Sequence, residues 1–440
     1  MRSSLPKVLH PLAGQPMARY VIDAAQKAGF HRCIVVVGPD ANDVRDALGN
    51  DVDYVAQPQP LGTGHALAQA QDGADGSEQL LVLNSDVPLI TAETLTLLAR
   101  THEERGADLT FLTARLEDGG EYGRVQRDGD GRVTGVVEAA EQAGLDRAME
   151  GGAEINAGQY CFRAQWLWPR LAALPKAANG EYYLTSLIAT AVQEGSALLP
   201  MLAPDAEEAR GVNDRAQLAE AEATLRLRIN RRHMRAGVSL IDPQTTYIDT
   251  GVTIGRDTVI EPNTHLRGGT AVGEGCRLGP NAVLRDATLG DRCRIDATTI
   301  EDATLEQDVD VGPYSHLRPG AYLCAGVHIG NYAEVKNARL GRGVKMGHFS
   351  YVGDADVGEE TNIGAGAITC NYDGREKQRT VIGRGVFIGS DTKLVAPITV
   401  GDGARTAAGS VVTKDVPPGA LAAGAPARMI RGRNEESTPS

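Results

Sequence analysis

Between residues 316 and 372 the chain carries more polar and charged side chains than a structural repeat needs: "HLRPG", "NYAEVKNARLG", "KMGHFSYVGDADVG" and "TNIGAGAITCNYDG". Arg318 and Lys336 are fixed cations suited to a phosphate. His348 shares this stretch with Tyr351, Asn362, Asn371 and Tyr372, neighbours that a solvated surface histidine does not require. An imidazole that titrates near neutral pH can take the proton of an amine attacking a carbonyl. A second set lies in the first half. Asp86 follows the apolar run of "LVLNSDVPL", at the carboxyl end of an expected strand, where open α/β sheets bind ligands. Lys7 in "LPKVLHPLAG" stands ahead of an apolar run with helical spacing, Val8, Leu9, Leu12 and Met17.

The elements that must position these residues follow two different patterns. In residues 1–215 short apolar runs alternate with helix-like stretches. "CIVVVG" (33–38) reads as a buried parallel strand between the helices "VIDAAQKAGF" and "ANDVRDALGN". "EQLLVLNSDVPLI" repeats the pattern and leads into "TAETLTLLAR", a capped helix. Strands separated by helices imply a doubly wound, Rossmann-like α/β domain. Residues 216–236 are rich in helix formers and end at Gly237, which predicts a linker helix. The period then changes to six. Aliphatic residues recur at 248, 254, 260, 266, 272, 278 and 284, again from Leu305 through Val311, Leu317, Leu323 and Ile329 to Val335, and again at Val357, Ile363, Ile382, Ile388, Leu394 and Val400. This hexapeptide repeat predicts a parallel β-helix over 237–425, with the aliphatics stacked inward. It breaks at "ITCNYDGREKQRT" (368–380), a protruding loop of the kind that carries function on a rigid scaffold.

The totals bound what the chain can be. Its 440 residues suffice for two or three domains. Aromatic residues make up only 4%, so aliphatics must fill the cores, and 52 glycines point to many tight corners. A net charge of −13 argues against a basic nucleic-acid surface, though not against a small anion in a local pocket. Six cysteines without a C-x-x-C pair read as a reduced, cytoplasmic chain. No apolar run approaches a membrane helix, and no signal peptide is visible, so no membrane partner is expected. Residues 426–440, with "NEESTPS" at the end, read as a disordered tail.

The hexapeptide repeats, "GHFSYVGDADVGEETNIGAGAITCNYDG" and "GSDTKLVAPITVGDGA" resemble the bacterial bifunctional N-acetylglucosamine-1-phosphate uridyltransferase / glucosamine-1-phosphate acetyltransferase family, over nearly the whole chain and with both halves in order. That resemblance implies a left-handed β-helix that forms a homotrimer with acetyl-CoA between subunits. It implies His348 as general base on the 2-amino group of glucosamine-1-phosphate, with Glu334 orienting it. Arg318 and Lys336 would bind the sugar phosphate, and Tyr351 and Asn362 the sugar. Ala365, Asn371, Tyr372, Ser390 and Ala408 would line the acetyl-CoA site. Arg428, in the divergent "ALAAGAPARMIRGR", is the candidate for the family's coenzyme arginine.

For the first half the resemblance implies that N-acetylglucosamine-1-phosphate attacks UTP with Mg2+ present. Asp86 and Asn213, in "GVNDR", would be the metal ligands. Lys7 would meet the nucleotide, Gln57, Gly62 and Thr63 in "AQPQPLGTGHA" the uracil, and Gly123, Glu138 and Asn156 the N-acetylglucosamine part. Some positions depart from the family. Asn84-Ser85 stand where Tyr-Gly is usual, "AAEQA" follows Glu138 in place of a Lys-Asp pair, and Ser186 replaces an aspartate. Family members also begin with a strand and a loop of the type L-A-A-G-x-G-T-R-M, and Met1 stands at that motif's methionine. The resemblance therefore implies that residues 1–440 carry acetyl transfer complete. Family members carry a strand and triphosphate-cradling loop at that point, so two readings stay open: a true start that lies upstream and restores the loop, or a first site that lacks it and whose uridyl transfer is in doubt. Two rival readings fit the same residues: a sugar nucleotidyltransferase whose β-helix is only structural, and a non-catalytic trimeric scaffold.

Overall fold

A computed structural model describes residues 1–39, 41–117, 119–120, 122–138 and 152–430. The chain divides into two compact units, Met1–Leu225 and a second that begins at Arg226. The boundary falls inside the helix Arg215–Arg235, which covers the stretch expected as a linker helix.

In the first unit the strand Ile34–Val37 pairs in parallel with Asp53–Ala56. A separate mixed sheet runs Leu198–Leu202, Leu109–Leu116, Ala153–Arg163, Arg124–Arg127, Val133–Val137, with Gln79–Val82 also on Ala153–Arg163. Leu198–Leu202 lies parallel to Leu109–Leu116, and the other pairs are antiparallel. Two expectations are corrected here. Ile34, Val35 and Val36 are half-buried, not buried, and Gln79–Val82 pairs antiparallel instead of joining a parallel array. The reason is local: among the described residues each of these two strands is paired along one edge only. An unpaired edge leaves its side chains and peptide groups partly open. The helix Ala92–Glu104 starts at Thr91, whose hydroxyl accepts the Thr94 amide, as its capping signal predicts. With Met17–Lys27 it covers one sheet face, where Val21, Ala24, Ala25 and Leu95 pack on Leu112 and Ile155.

The second unit is a parallel β-helix. Three ladders of twelve, ten and nine short strands run its length; each full coil adds one strand to each ladder, and the twelfth strand of the longest is the antiparallel Ala427–Ile430. The step of six is visible in the register where Ile260 lies beside Leu278 and Val311 beside Ile329, three steps on in each case and all buried; between them the shorter coils that carry Leu278 to Ile295 and Ile295 to Val311 reset the period. Coil-to-coil contact is close enough to forbid side chains at some corners. A Cβ at Gly330 would sit 2.8 Å from Gly347 Cα and overlap its carbonyl oxygen. The expected loop is narrower than 368–380. Ile368–Cys370 and Thr380–Ile382 remain in their ladders, and 371–379 form the excursion, closed by a bridge between Tyr372 and Lys377. The expected tail is also corrected. Ala427–Ile430 forms a strand antiparallel to Leu421–Gly424, because Gly424, at φ +99°, reverses the chain and lets the last edge pair with itself. Residues 431–440, including "NEESTPS", and the "AAEQA" stretch at 139–143 lie outside the described residues.

Candidate active sites

Parallel register turns residues far apart in sequence into neighbours on one β-helix face. His316, Glu334, Tyr351 and Ile368 succeed one another along the ten-stranded ladder. Lys336 stands in the same way beside Gly353. Alternate residues on a strand face the same side, so Glu334, Lys336 and Tyr351 share the outer face while Val335 and Val352 fill the core. Arg318 joins them, its Nη1 donating to Glu334 Oε1 at 2.7 Å. The carboxylate holds the guanidinium above its ordinary pKa. Glu334 was expected to orient His348. In this structure Glu334 accepts from Arg318 on the flat face of the ladder, and exposed His348 stands at the corner before Ser350–Gly353.

Lys377, which sequence reasoning did not single out, comes from the excursion to meet Lys336. The nearby Lys377 ammonium, and Arg318 after it, hold Lys336 below the usual lysine range. Like charges held near one another on an exposed surface are relieved by an anion. The one sequence signal of this cluster was the position of Lys377 in the loop that breaks the repeat. Tyr351 lies across Gly353, and its hydroxyl oxygen accepts from Asn371 Nδ2 at 3.3 Å. Ala365, Ser390 and Ala408 follow one another at one corner. Asp391 N donates to Ala365 O at 2.6 Å, and Gly409 N to Ser390 O at 2.8 Å. Asn362 is half-buried beside Lys345 in the twelve-stranded ladder, away from the Glu334–Tyr351 face. Tyr372 is exposed on the excursion, and Arg428 is exposed in the final hairpin, opposite Ala423.

In the first unit Lys7, Asp86 and Asn213 meet. Lys7 Nζ donates to Asp86 Oδ2 at 2.6 Å and to Asn213 Oδ1 at 2.9 Å. The Val212 amide, next to Asn213, donates to Asp86 O at 2.9 Å and locks the two segments together. One carboxylate and one carboxamide oxygen aimed at a single cationic centre fit Mg2+, which takes hard oxygens and fills its remaining positions with water and phosphate. Among the described residues no cluster of three His, Cys, Asp or Glu is suited to a metal. Asn84 and Ser85 are exposed just before Asp86, and Asn84 rests on Gly158, whose φ is +79°.

The remaining expected residues form a chain of contacts. Gln57 Nε2 donates to Gly62 O at 3.1 Å and faces His65 Nδ1 at 3.0 Å. A carbonyl only accepts, so this fixes the Gln57 amide with its Oε1 directed elsewhere. Gly62, at φ +100°, passes so close to Tyr182 that a Cβ would lie 2.7 Å from its carbonyl oxygen. Thr63 Oγ1 accepts the Leu184 amide at 3.1 Å, and Thr185 donates to Glu138 Oε1 at 2.5 Å. Gly123 O accepts the Asn156 amide at 2.9 Å, and a Cβ on Gly123 would come within 3.5 Å of Glu138 Oε2. His65, Tyr182 and Thr185 were not anticipated. Their roles appear only when the segments 57–65 and 182–185 lie side by side.

Comparisons with known proteins agree with this architecture. A MobA-like NTP transferase domain matches residues 1–194, and bacterial transferase hexapeptide repeats match residues 251–286 and 379–414. The chain is 47% identical over 427 residues to the bifunctional protein GlmU of Pelobacter propionicus, covering 96% of this chain and 92% of that protein. It is 46% identical to the GlmU of Trichlorobacter lovleyi and 46% identical to that of Heliobacterium modesticaldum, with the same shares covered. With such identity over both units, the chain belongs to the GlmU family of bifunctional proteins.

Proposed function

We propose that the chain is a two-site transferase of UDP-N-acetylglucosamine synthesis. The second unit moves an acetyl group from acetyl-CoA to glucosamine-1-phosphate. The first moves a uridyl group from UTP to the resulting N-acetylglucosamine-1-phosphate. The observation that carries this reading is the gathering of Arg318, Lys336 and Lys377 on the face that bears Tyr351, on a chain of net charge −13. The rival readings, an inert β-helix or a scaffold, give no reason to crowd three cations against one another.

In the acetyl-transfer site the cations hold the sugar phosphate and Tyr351 supports the sugar. The substrate nitrogen attacks the thioester carbonyl carbon, a C–N bond forms and the C–S bond breaks. His348 takes the surplus proton from nitrogen, and the CoA sulfur leaves as thiolate. Asn362, Ala365, Asn371, Tyr372, Ser390, Ala408 and Arg428 are assigned to the sugar and coenzyme by resemblance, and the corner ladder of Ala365, Ser390 and Ala408 supports a coenzyme lying along the axis. Exposed Tyr314 and Tyr332, stacked at 5.5 Å, support a further subunit packing near this corner in a homotrimer. In the uridyl-transfer site a sugar-phosphate oxygen attacks the α-phosphorus and pyrophosphate leaves. Asp86 and Asn213 hold Mg2+, which when bound neutralises phosphate charge. Lys7 then turns to the triphosphate, Gln57 offers Oε1 to the base, and Glu138 with Asn156 fixes the sugar. The six free cysteines support a reducing, cytoplasmic setting.

One preparation tests both halves. CoA release from acetyl-CoA with glucosamine-1-phosphate is expected to vanish in His348→Ala, with pyrophosphate release from UTP with N-acetylglucosamine-1-phosphate unchanged from wild type. CoA release at the wild-type rate in that variant overturns the assignment of His348.

A further inference from the structure

Asp354 is the one carboxylate on the described β-helix with less than a tenth of its surface exposed, and no part of the mechanism above uses it. It occupies the junction between Ser350–Gly353 and Ala355–Val357 with φ +48°, a conformation that costs a non-glycine residue free energy. Its two oxygens have separate partners. Oδ1 accepts from Asn337 Nδ2 at 2.5 Å and Oδ2 from Asn371 Nδ2 at 2.5 Å. Its backbone is also engaged: its amide donates to Lys336 O at 3.0 Å and its carbonyl accepts the Thr380 amide at 3.0 Å. Asn371 and Thr380 are the two feet of the excursion that carries Tyr372 and Lys377. Asp354 therefore grips both ends of the loop, one with its side chain and one with its backbone.

The chemistry of the grip has a direction. A carboxylate only accepts, so the Asn371 NH2 must face Asp354. The second N–H of that group is spent on Tyr351 Oη. The Asn371 side-chain oxygen, Oδ1, is then turned away from both, and unlike the backbone carbonyl, which accepts the Gln378 amide at 2.7 Å, it has no donor among the described residues. The Tyr351 oxygen, already accepting, keeps its own hydrogen for an outside acceptor. A single buried charge thus sets the polarity of two groups at the site, an acceptor on Asn371 and a donor on Tyr351.

We propose that Asp354 is a positioning residue for acetyl transfer: it fixes the Asn371 amide so that its carbonyl oxygen accepts an amide N–H of the acetyl-CoA arm. The inference rests on the acetyl-transfer reading above. In Asp354→Asn the obligatory acceptor becomes an amide that can itself donate, and Asn371 is free to turn over. An NH2 then confronts the ligand N–H, and a hydrogen bond becomes an unpaired donor. An effect of that size raises KM for acetyl-CoA by about tenfold. The smaller expected effects are on kcat and on KM for glucosamine-1-phosphate.

The test measures CoA release against acetyl-CoA concentration for wild type, Asp354→Asn, Asn371→Ala and the double variant. The melting curve reports the fold. The expected result is a raised KM for acetyl-CoA in each single variant and no further rise in the double, because Asp354 acts through Asn371. A folded Asp354→Asn with wild-type KM overturns the proposal, and so do effects that multiply in the double variant. Should Asp354→Asn fail to fold, Asn371→Ala decides: wild-type KM in that variant means its carbonyl meets no ligand, and the proposal falls. Absence of CoA release from wild-type protein itself would instead overturn the underlying acetyl-transfer reading.

Discussion

Gly353→Ala offers a sharp test of the second-unit site, because the change is tolerable to the backbone and intolerable to one side chain. Gly353 is buried in the ten-stranded ladder beside Lys336, and its amide donates to Thr369 Oγ1 at 2.8 Å. Its φ lies outside the left-handed region, so alanine meets no conformational barrier. An added Cβ, however, would stand 2.5 Å from Tyr351 Cζ and 2.8 Å from Cε1, and would overlap the hydroxyl. Ordinary contact begins near 3.4 Å, so the ring must retreat by about 1 Å. The half-buried ring can swing outward without unfolding the coil, and the predicted loss of stability is about 1–2 kcal/mol. The retreat separates Tyr351 from Asn371 and from the cations. Misplacement of a substrate-positioning group by about 1 Å costs up to roughly a hundredfold in rate. CoA release should therefore fall ten- to a hundredfold in kcat/KM, while pyrophosphate release and the melting temperature stay near wild type. A variant with full CoA release would refute the argument that Tyr351 works from its place over Gly353. A collapsed melting curve would refute the argument that only the ring must move.

Lys377→Ala removes the first cause of the depressed Lys336 pKa. Loss of that cation from the anion site should raise KM for glucosamine-1-phosphate by about tenfold, while Lys336 stays protonated to higher pH and the alkaline limb shifts upward, read from pH profiles of CoA release. Gly330→Ala puts a methyl into the backbone of Gly347, which cannot swing aside, and should cost about 3 kcal/mol or more, read from denaturant melts. His102 is buried against Thr110, and burial first, then Arg163, pushes its pKa down to about 4. Its folded value lies below the unfolded value, so its contribution is intact above about pH 6.5 and is lost as pH falls towards 4. His102→Gln should flatten that acid loss by roughly 2–3 kcal/mol, measured by urea unfolding across this range.

Much of the fold was legible because it is periodic. A step of six needs no knowledge of distant partners, since each coil repeats the last, and the inward aliphatics are buried where the period puts them, half-buried Ile254 in an early coil excepted. The helix Arg215–Arg235 and the cap at Thr91 were legible for a related reason, that their signals are local. Pairing direction in the first unit was not. "CIVVVG" and "EQLLVL" look alike as apolar runs, and nothing within them says that Gln79–Val82 lies antiparallel to a strand some eighty residues on. The final hairpin was missed because "AGAPARMIRGR" reads as polar coil until the ladder beneath it supplies an edge.

The sites divide in the same way. Residue types alone determined that the chain can hold phosphate, move a proton near neutral pH and bind a hard cation: Arg318, Lys336, His348 and Asp86 carry that chemistry wherever they lie. Strings of family type assigned most other positions. Only the tertiary structure decided who faces whom. It paired Glu334 with Arg318, brought Lys377 to Lys336, set Lys7 between Asp86 and Asn213, and buried Asp354 beneath Asn371. The physical reason is that pair interactions fall off within a few ångströms. Sequence separation carries almost no information at that scale until the coils are stacked and the loop is closed.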